Sequence, residues 1–158
     1  APSSGGARGA GPPMSDSFAR RLGRLEDAEA IRNLIAAYGP LADAGDADGV
    51  AMLWTENGEY DVGGFGVARG RAAIAGLIAS DTHRALMATG CAHILSPHHI
   101  VLDGDRARAT GYSAVLRRSG DGYEIWRAST NIWELERQND GGWLAVRRVN
   151  RPIAPHRP

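Results

Sequence analysis

From Ser17 to Ala42 the apolar residues Leu22, Leu25, Ala28, Ile31, Ile35, Tyr38 and Ala42 recur at spacings of three and four. That spacing lays one apolar stripe along a helix, with Arg24, Glu26, Asp27, Arg32 and Asn33 off the stripe and solvated. Gly39-Pro40 strains the last turn, because proline lacks an N–H and disfavours helix at the residue before it. Asp43 stands at the end of this helix. Asp46 then caps a short second helix that carries Val50, Met52 and Leu53 and reaches Trp54. Asn57-Gly58 reads as a turn and Glu59–Val62 as a short strand, followed by a glycine-rich loop or edge ribbon at Gly63, Gly64, Gly66 and Gly70. Ile74, Leu77, Ile78, Leu86 and Met87 predict a third helix from Arg71 to Met87, broken or frayed around Ser80-Asp81-Thr82.

The second half changes period. Cys91–Leu102, Arg106–Arg118, Tyr123–Arg137 and Trp143–Val149 are strand-like runs. They are joined by Asp103-Gly104-Asp105, Ser119-Gly120-Asp121-Gly122 and Asn139-Asp140-Gly141-Gly142, each with the chemistry of a tight hairpin. Three hairpins in succession predict a four-stranded antiparallel meander. Helices first and a meander after is an α+β order, since doubly wound sheets alternate the two. The expected architecture is a cone-shaped α+β barrel. Three N-terminal helices pack on a curved antiparallel sheet, with a short N-terminal strand or ribbon, a closed floor and an open mouth.

Composition narrows the functions. The chain has 158 residues with 18 basic against 18 acidic side chains, so no charge excess draws it to nucleic acid or an anionic membrane. All the basic residues are arginine. Without lysine there is no Schiff base, no pyridoxal-phosphate chemistry and no Walker A loop. Cys91 is the single cysteine, which excludes an intramolecular disulfide and a zinc site built of thiolates. No apolar run approaches the roughly 18 residues of a membrane span. Residues 1–13 hold no large apolar side chain and no signal-peptide core, so the expected location is the cytoplasm. Met14 reads as a native start, the segment before it as a disordered extension or a remnant of cloning. The domain is expected over residues 17–151, with tails at 1–16 and 152–158.

The segments "LEDAEAIRNLIAAYGPLADAGDADGVAMLWTENGEY", "ARGRAAIAGLI", "AHILSPHHIVLDGDRARATGYSAVL" and "GGWLAVRRVNR" resemble the SnoaL-like branch of the nuclear transport factor 2-like superfamily. The motif likeness is nearest to its scytalone dehydratase and dehydrochlorinase type. The resemblance covers roughly residues 17–150 and implies the cystatin-like α+β barrel. For function it is broad, because the superfamily holds dehydratases, isomerases, cyclases, epoxide hydrolases and binding modules.

In the dehydratase and dehydrohalogenase relatives an Asp at the end of the first helix pairs with a His at the start of the first long strand. The resemblance carries these positions onto Asp43 in "LADAGD" and His93 in "CAHILSPHHIVLDGD". An imidazole is a useful base near neutral pH, and a carboxylate on its other nitrogen fixes the tautomer and steadies the imidazolium. Such a dyad removes a proton next to an electron-withdrawing group without any cofactor. The bland alternative is Asp43 as a cap and His93 as a core histidine. Contact at about 2.6–3.2 Å between the two favours the enzyme.

Other candidates follow from strand alternation. Arg127, Ser129, Asn131 and Trp133 share one face of their strand; Trp126, Ala128, Thr130 and Ile132 share the other. If the first set turns inward, Arg127 and Asn131 polarise a substrate oxygen; if not, Arg127 is solvated and Trp133 merely packed. Tyr38, Trp54, Tyr60, Phe65, Met87 and Tyr112 complete an apolar pocket for an oxygenated fused-ring or terpenoid-like body. His98 and His99 point to opposite faces and do not share a metal, so none is expected. His99 lies on the face of His93 unless Pro97 breaks the count, and His83 either lines the mouth or is solvated. These readings add up to a cofactor-independent lyase or isomerase for a small hydrophobic substrate. A non-catalytic binding or oligomerisation module is the alternative. On the second meander strand Ala107, Ala109, Gly111, Ser113 and Val115 form one set. Arg106, Arg108, Thr110, Tyr112, Ala114 and Leu116 form the other. An apolar outward face would be covered by a second copy, which predicts a homodimer.

Overall fold

The computed structural model describes residues 14–154. Helix α1 (Met14–Asp43) and α2 (Ala47–Ala51) lead into β1 (Trp54–Asp61) and β2 (Val67–Arg69). Helices α3 (Arg71–Ile78) and α4 (Asp81–Thr89) follow. Then come β3 (Cys91–Leu95), β4 (His99–Asp103), β5 (Arg106–Ser119), β6 (Gly122–Arg137) and β7 (Trp143–Pro152). The order is α+β, with helices packed on one curved, unclosed sheet. Of the expected tails at 1–16 and 152–158, residues 1–13 and 155–158 lie outside the described residues; α1 begins three residues before the expected domain boundary, and β7 runs one residue past the domain's expected end.

The sheet runs β2-β1-β7-β6-β5-β3, with β4 also on β5. It is mixed rather than wholly antiparallel, because β1 lies parallel to β7. The first meander strand is two strands. Strands β3 and β4 both pair with β5, at Ser113–Arg117 and Arg106–Thr110 respectively. Pro97 lies in the gap, and His98 fills it, its ring against Gly111 where a Cβ would come within 2.9 Å. Asn57-Gly58 is not a turn but part of β1. Here the register slips between Trp54 and Glu59, so Trp54 opens the strand instead of closing α2. The expected third helix is α3 and α4, divided by Ser80, whose hydroxyl caps α4 by accepting the His83 N–H.

Helix α1 passes through Pro40, since Tyr38 and Ala42 are buried on either side of it and only one N–H is lost. Its stripe is buried from Ile31 onward, whereas Leu22 and Leu25 remain exposed. Asp27, expected in solvent, is a clasp. Both its oxygens accept from Arg137, at 2.6 and 2.7 Å, and Trp143 Nε1–H donates to it at 3.0 Å. The Arg137 guanidinium holds this carboxyl below the usual carboxylate range. The clasp ties α1 to the ends of β6 and β7. Asp27→Asn is expected to cost about 1–3 kcal/mol, the scale for hydrogen bonds to charged groups, read as a lower urea midpoint.

Candidate active site

The core ends in a cavity of about 280 Å³ between the sheet and helices α1, α3 and α4. That is near the small end of ligand pockets, which run from about 300 to 1,000 Å³. Its walls include Tyr38, Tyr60, Leu86, His93, Trp126 and Arg148.

Two chain segments build the dyad. Asp43 is the last residue of α1, and His93 is the middle of β3. The two meet because α1 and β3 touch backbone to backbone at Gly39, where an added Cβ would lie 2.2 Å from the His93 carbonyl oxygen. His93 Nδ1 lies 2.6 Å from Asp43 Oδ1, and the His93 backbone N–H donates to Oδ2 at 2.8 Å. A carboxylate only accepts, so Nδ1 carries the proton and Nε2 is the basic nitrogen. Cys91 Sγ donates a third bond to Asp43 Oδ1 at 3.4 Å.

Asp43, Cys91 and His93 bring three potential metal-ligand atoms within 4.8 Å of one another. Burial, with Asp43 beside it, pushes the Cys91 thiol up to about 11. It is therefore an S–H donor to the carboxylate rather than a thiolate ligand.

Burial lowers the pKa of His93 below 6.5, outweighing Asp43, and the charge of His83 and Arg148 works the same way. Burial also lowers that of His98, whose Nδ1–H donates to Ser96 O, 2.7 Å away. At neutral pH His93 is thus an uncharged base. We expect kcat/KM to be flat above pH 6.5 and to fall as pH drops through the lowered His93 pKa. Stability has the same sign. Below pH 6.5 the unfolded chain takes up protons at these histidines that the folded chain refuses, so the urea midpoint declines there.

His83 also lines the cavity. It is buried, its Nε2–H donates to Ala42 O at 2.8 Å, and its ring centroid is 5.5 Å from that of His93. It belongs to the wall, not to the solvent. His99 is exposed and does not line the cavity.

The other expected residues divide. Tyr38, Tyr60 and Arg127 line the cavity. Arg127, Ser129, Asn131 and Trp133 do turn inward, but Arg127 and Asn131 already hold partners within the protein, and the Trp133 Nε1–H is buried with no partner among the described residues. Arg127 Nη2 donates to Val62 O and, at 2.7 Å, to Gly63 O, clasping the loop that carries Phe65 over the mouth. Asn131 lies behind the wall, its Nδ2 donating to Ser113 Oγ at 2.7 Å and its Oδ1 accepting from Arg148. Trp54 and Trp133 are fully buried core. Met87 is not among the lining residues, and Tyr112 is 60% exposed on the opposite face of the sheet.

Two β-bulges supply what alternation missed. Val115 pairs with Arg127 and Leu116 with Ile125, so Trp126 is the extra residue and reaches the cavity from the wrong face. Glu134 pairs with Arg147 and Leu135 with Ala145, so Val146 is extra on β7. Beyond it the inward phase moves to Arg148 and Asn150, both nine-tenths or more buried. Burial makes the Tyr60 phenol a far weaker acid than usual. It accepts from Asn150 Nδ2 at 2.9 Å and lies 3.5 Å from the Tyr38 hydroxyl.

The model of the SnoaL-like domain matches residues 23–149. The chain belongs to this family. Among solved structures, an NTF2-like protein with a cystatin-like fold from Novosphingobium aromaticivorans is 51% identical with a TM-score of 0.85. That match covers 88% of this chain and 90% of the other. A protein of unknown function from Mycobacterium tuberculosis is 25% identical over 93% of this chain and 79% of its own, with a TM-score of 0.71. A proposed aromatic ring hydroxylase from N. aromaticivorans is 28% identical over 83% and 92%, with a TM-score of 0.65. No curated protein matches. The SnoaL-like chain thus shares its fold with proteins of differing description, and its chemistry must be argued from the cavity.

Proposed function

We propose that this SnoaL-like protein is a cofactor-independent lyase or isomerase of the cytoplasm that takes a proton from carbon in a small, hydrophobic, oxygenated molecule. The single observation behind this reading is the 2.6 Å His93–Asp43 contact beside a mostly apolar cavity. His93 Nε2 takes the proton, and Asp43 steadies the imidazolium that forms. The Tyr38 hydroxyl and the Tyr60 hydroxyl, the latter kept neutral by burial, face the substrate oxygen that gains negative charge. The proton returns at another carbon in an isomerisation, or a leaving group departs in an elimination. The aromatic ring hydroxylase description of one 28%-identical structure supports a small aromatic molecule as the class handled.

The test is to release and weigh the molecules that co-purify with the protein, then return each to fresh protein without added cofactor. Conversion to an isomer, or to a product lighter by water or an acid, is the expected result. Recovery of every ligand unchanged would instead establish the binding module.

A homodimer is the second half of the proposal. Tyr112 and Ile94 are 60% and 51% exposed on the outer sheet face, around Ala114 and Ala128. A second copy over this patch removes the exposed apolar area. Light scattering is expected to give twice the chain mass at micromolar concentration; the mass of a single chain would refute the dimer and leave the cavity chemistry intact.

A further inference from the structure

Arg148 is 1% exposed, and among the described residues no carboxylate lies within ion-pair distance of it. Its Nε and Nη2 both donate to one neutral acceptor, Asn131 Oδ1, at 3.1 and 2.8 Å. The guanidinium carbon lies 4.0 Å from the Tyr38 ring centroid, 4.4 Å from that of Trp133 and 4.7 Å from that of Tyr60. Among the described residues Nη1 has no partner, although Arg148 lines the cavity. Aromatic faces and a carboxamide ease a buried cation but do not neutralise it, and a lone buried charge is costly. The bulge at Val146 is what turns this cation inward. Folding has thus carried an unbalanced positive charge, with donor hydrogens unspent, to the wall of a ligand-sized cavity.

Asn150 stands two residues along on the same face and is 6% exposed. Its Nδ2 donates to the Tyr60 hydroxyl, and among the described residues its Oδ1 has no partner. An amide oxygen accepts only. It repels a second anionic oxygen and welcomes a hydroxyl.

Building on the reading of the cavity as a substrate site, we propose that its substrate is an organic acid: a compact ring compound whose carboxylate pairs with Arg148 Nη1 and whose hydroxyl donates to Asn150 Oδ1. The ligand completes the charge balance that the chain leaves open. A bound carboxylate also offsets the Arg148 charge that disfavours imidazolium at His93, so loading the site makes the base stronger.

Calorimetry with benzoate, benzamide and 3-hydroxybenzoate tests the assignment without any variant. Benzoate is expected to bind at least about 10-fold more tightly than its neutral isostere, the scale of a charge-assisted bond. 3-Hydroxybenzoate is expected to bind several-fold more tightly than benzoate. Arg148→Met should erase the first preference, and Asn150→Ala the second. Arg147→Met, which removes the exposed guanidinium next door, should erase neither. Equal affinities for benzoate and benzamide in the unaltered protein would overturn the proposal. A loss of the preference in Arg147→Met would do the same by exposing a surface effect, and no gain from the hydroxyl would overturn the part assigned to Asn150. His93→Ala separates this inference from the proposed chemistry. It should keep both binding preferences even though turnover is lost, whereas turnover that survives it refutes the base and not the anion site.

Discussion

His93→Ala is expected to lower turnover by about 10²–10⁴, the range in which a positioned general base contributes, while leaving the fold and ligand uptake in place. Among the described residues the imidazole is the only cavity group that is uncharged, basic near neutral pH and held by a carboxylate. Asp43→Asn should fall in the same range for a different reason. Asp43 receives three donors: the His93 Nδ1–H, the His93 backbone N–H and the Cys91 S–H. A carboxamide has one oxygen to offer them, so its NH2 must face a donor or turn the imidazole to the wrong tautomer. The two variants together should cost little more than either alone, because they disable one unit. Circular dichroism and ligand affinity check that the loss is chemical.

The second large effect is at Gly39. Alanine there puts its methyl 2.2 Å from a backbone carbonyl oxygen of β3, and neither a helix nor a strand yields cheaply at the backbone. Destabilisation of about 1–3 kcal/mol, at the upper end, is expected from overpacking. Turnover should fall with it, since parting α1 from β3 also parts Asp43 from His93. Gly23 is the control in the same helix. A methyl there meets nothing within 4 Å, so Gly23→Ala should gain about 0.5–1 kcal/mol from helix propensity alone. Urea unfolding of both variants reads the contrast.

Much of the fold was legible because it rests on local chemistry. The Asp-Gly and Gly-Gly connectors specify β4–β5, β5–β6 and β6–β7, and the run from Ile31 to Ala42 specifies the buried half of α1. The break at Ser80 was visible too, a hydroxyl suited to capping α4. What failed was counting by twos across irregularities. Strict alternation from Trp143 would send Arg147 inward, whereas the extra residue at Val146 sends Arg148 there. The bulge at Trp126 likewise brings a ring that alternation assigned outside into the cavity wall. A bulge arises from pairing between distant strands, so no neighbouring residue announces it. The same holds for Asp27, whose partners Arg137 and Trp143 lie over a hundred residues away. Asp43 and His93 were found through family likeness, since 50 positions separate them and nothing local links the two.

Proton removal by His93 is the central step of the proposed reaction, and solvent exchange measures it without needing the full reaction. A carbonyl compound retained by the protein is incubated in D2O, and deuterium entering at the carbon beside the carbonyl is followed by NMR. The unaltered protein is predicted to introduce deuterium at least about 100-fold faster than His93→Ala. Equal rates in the two proteins would contradict His93 as the base.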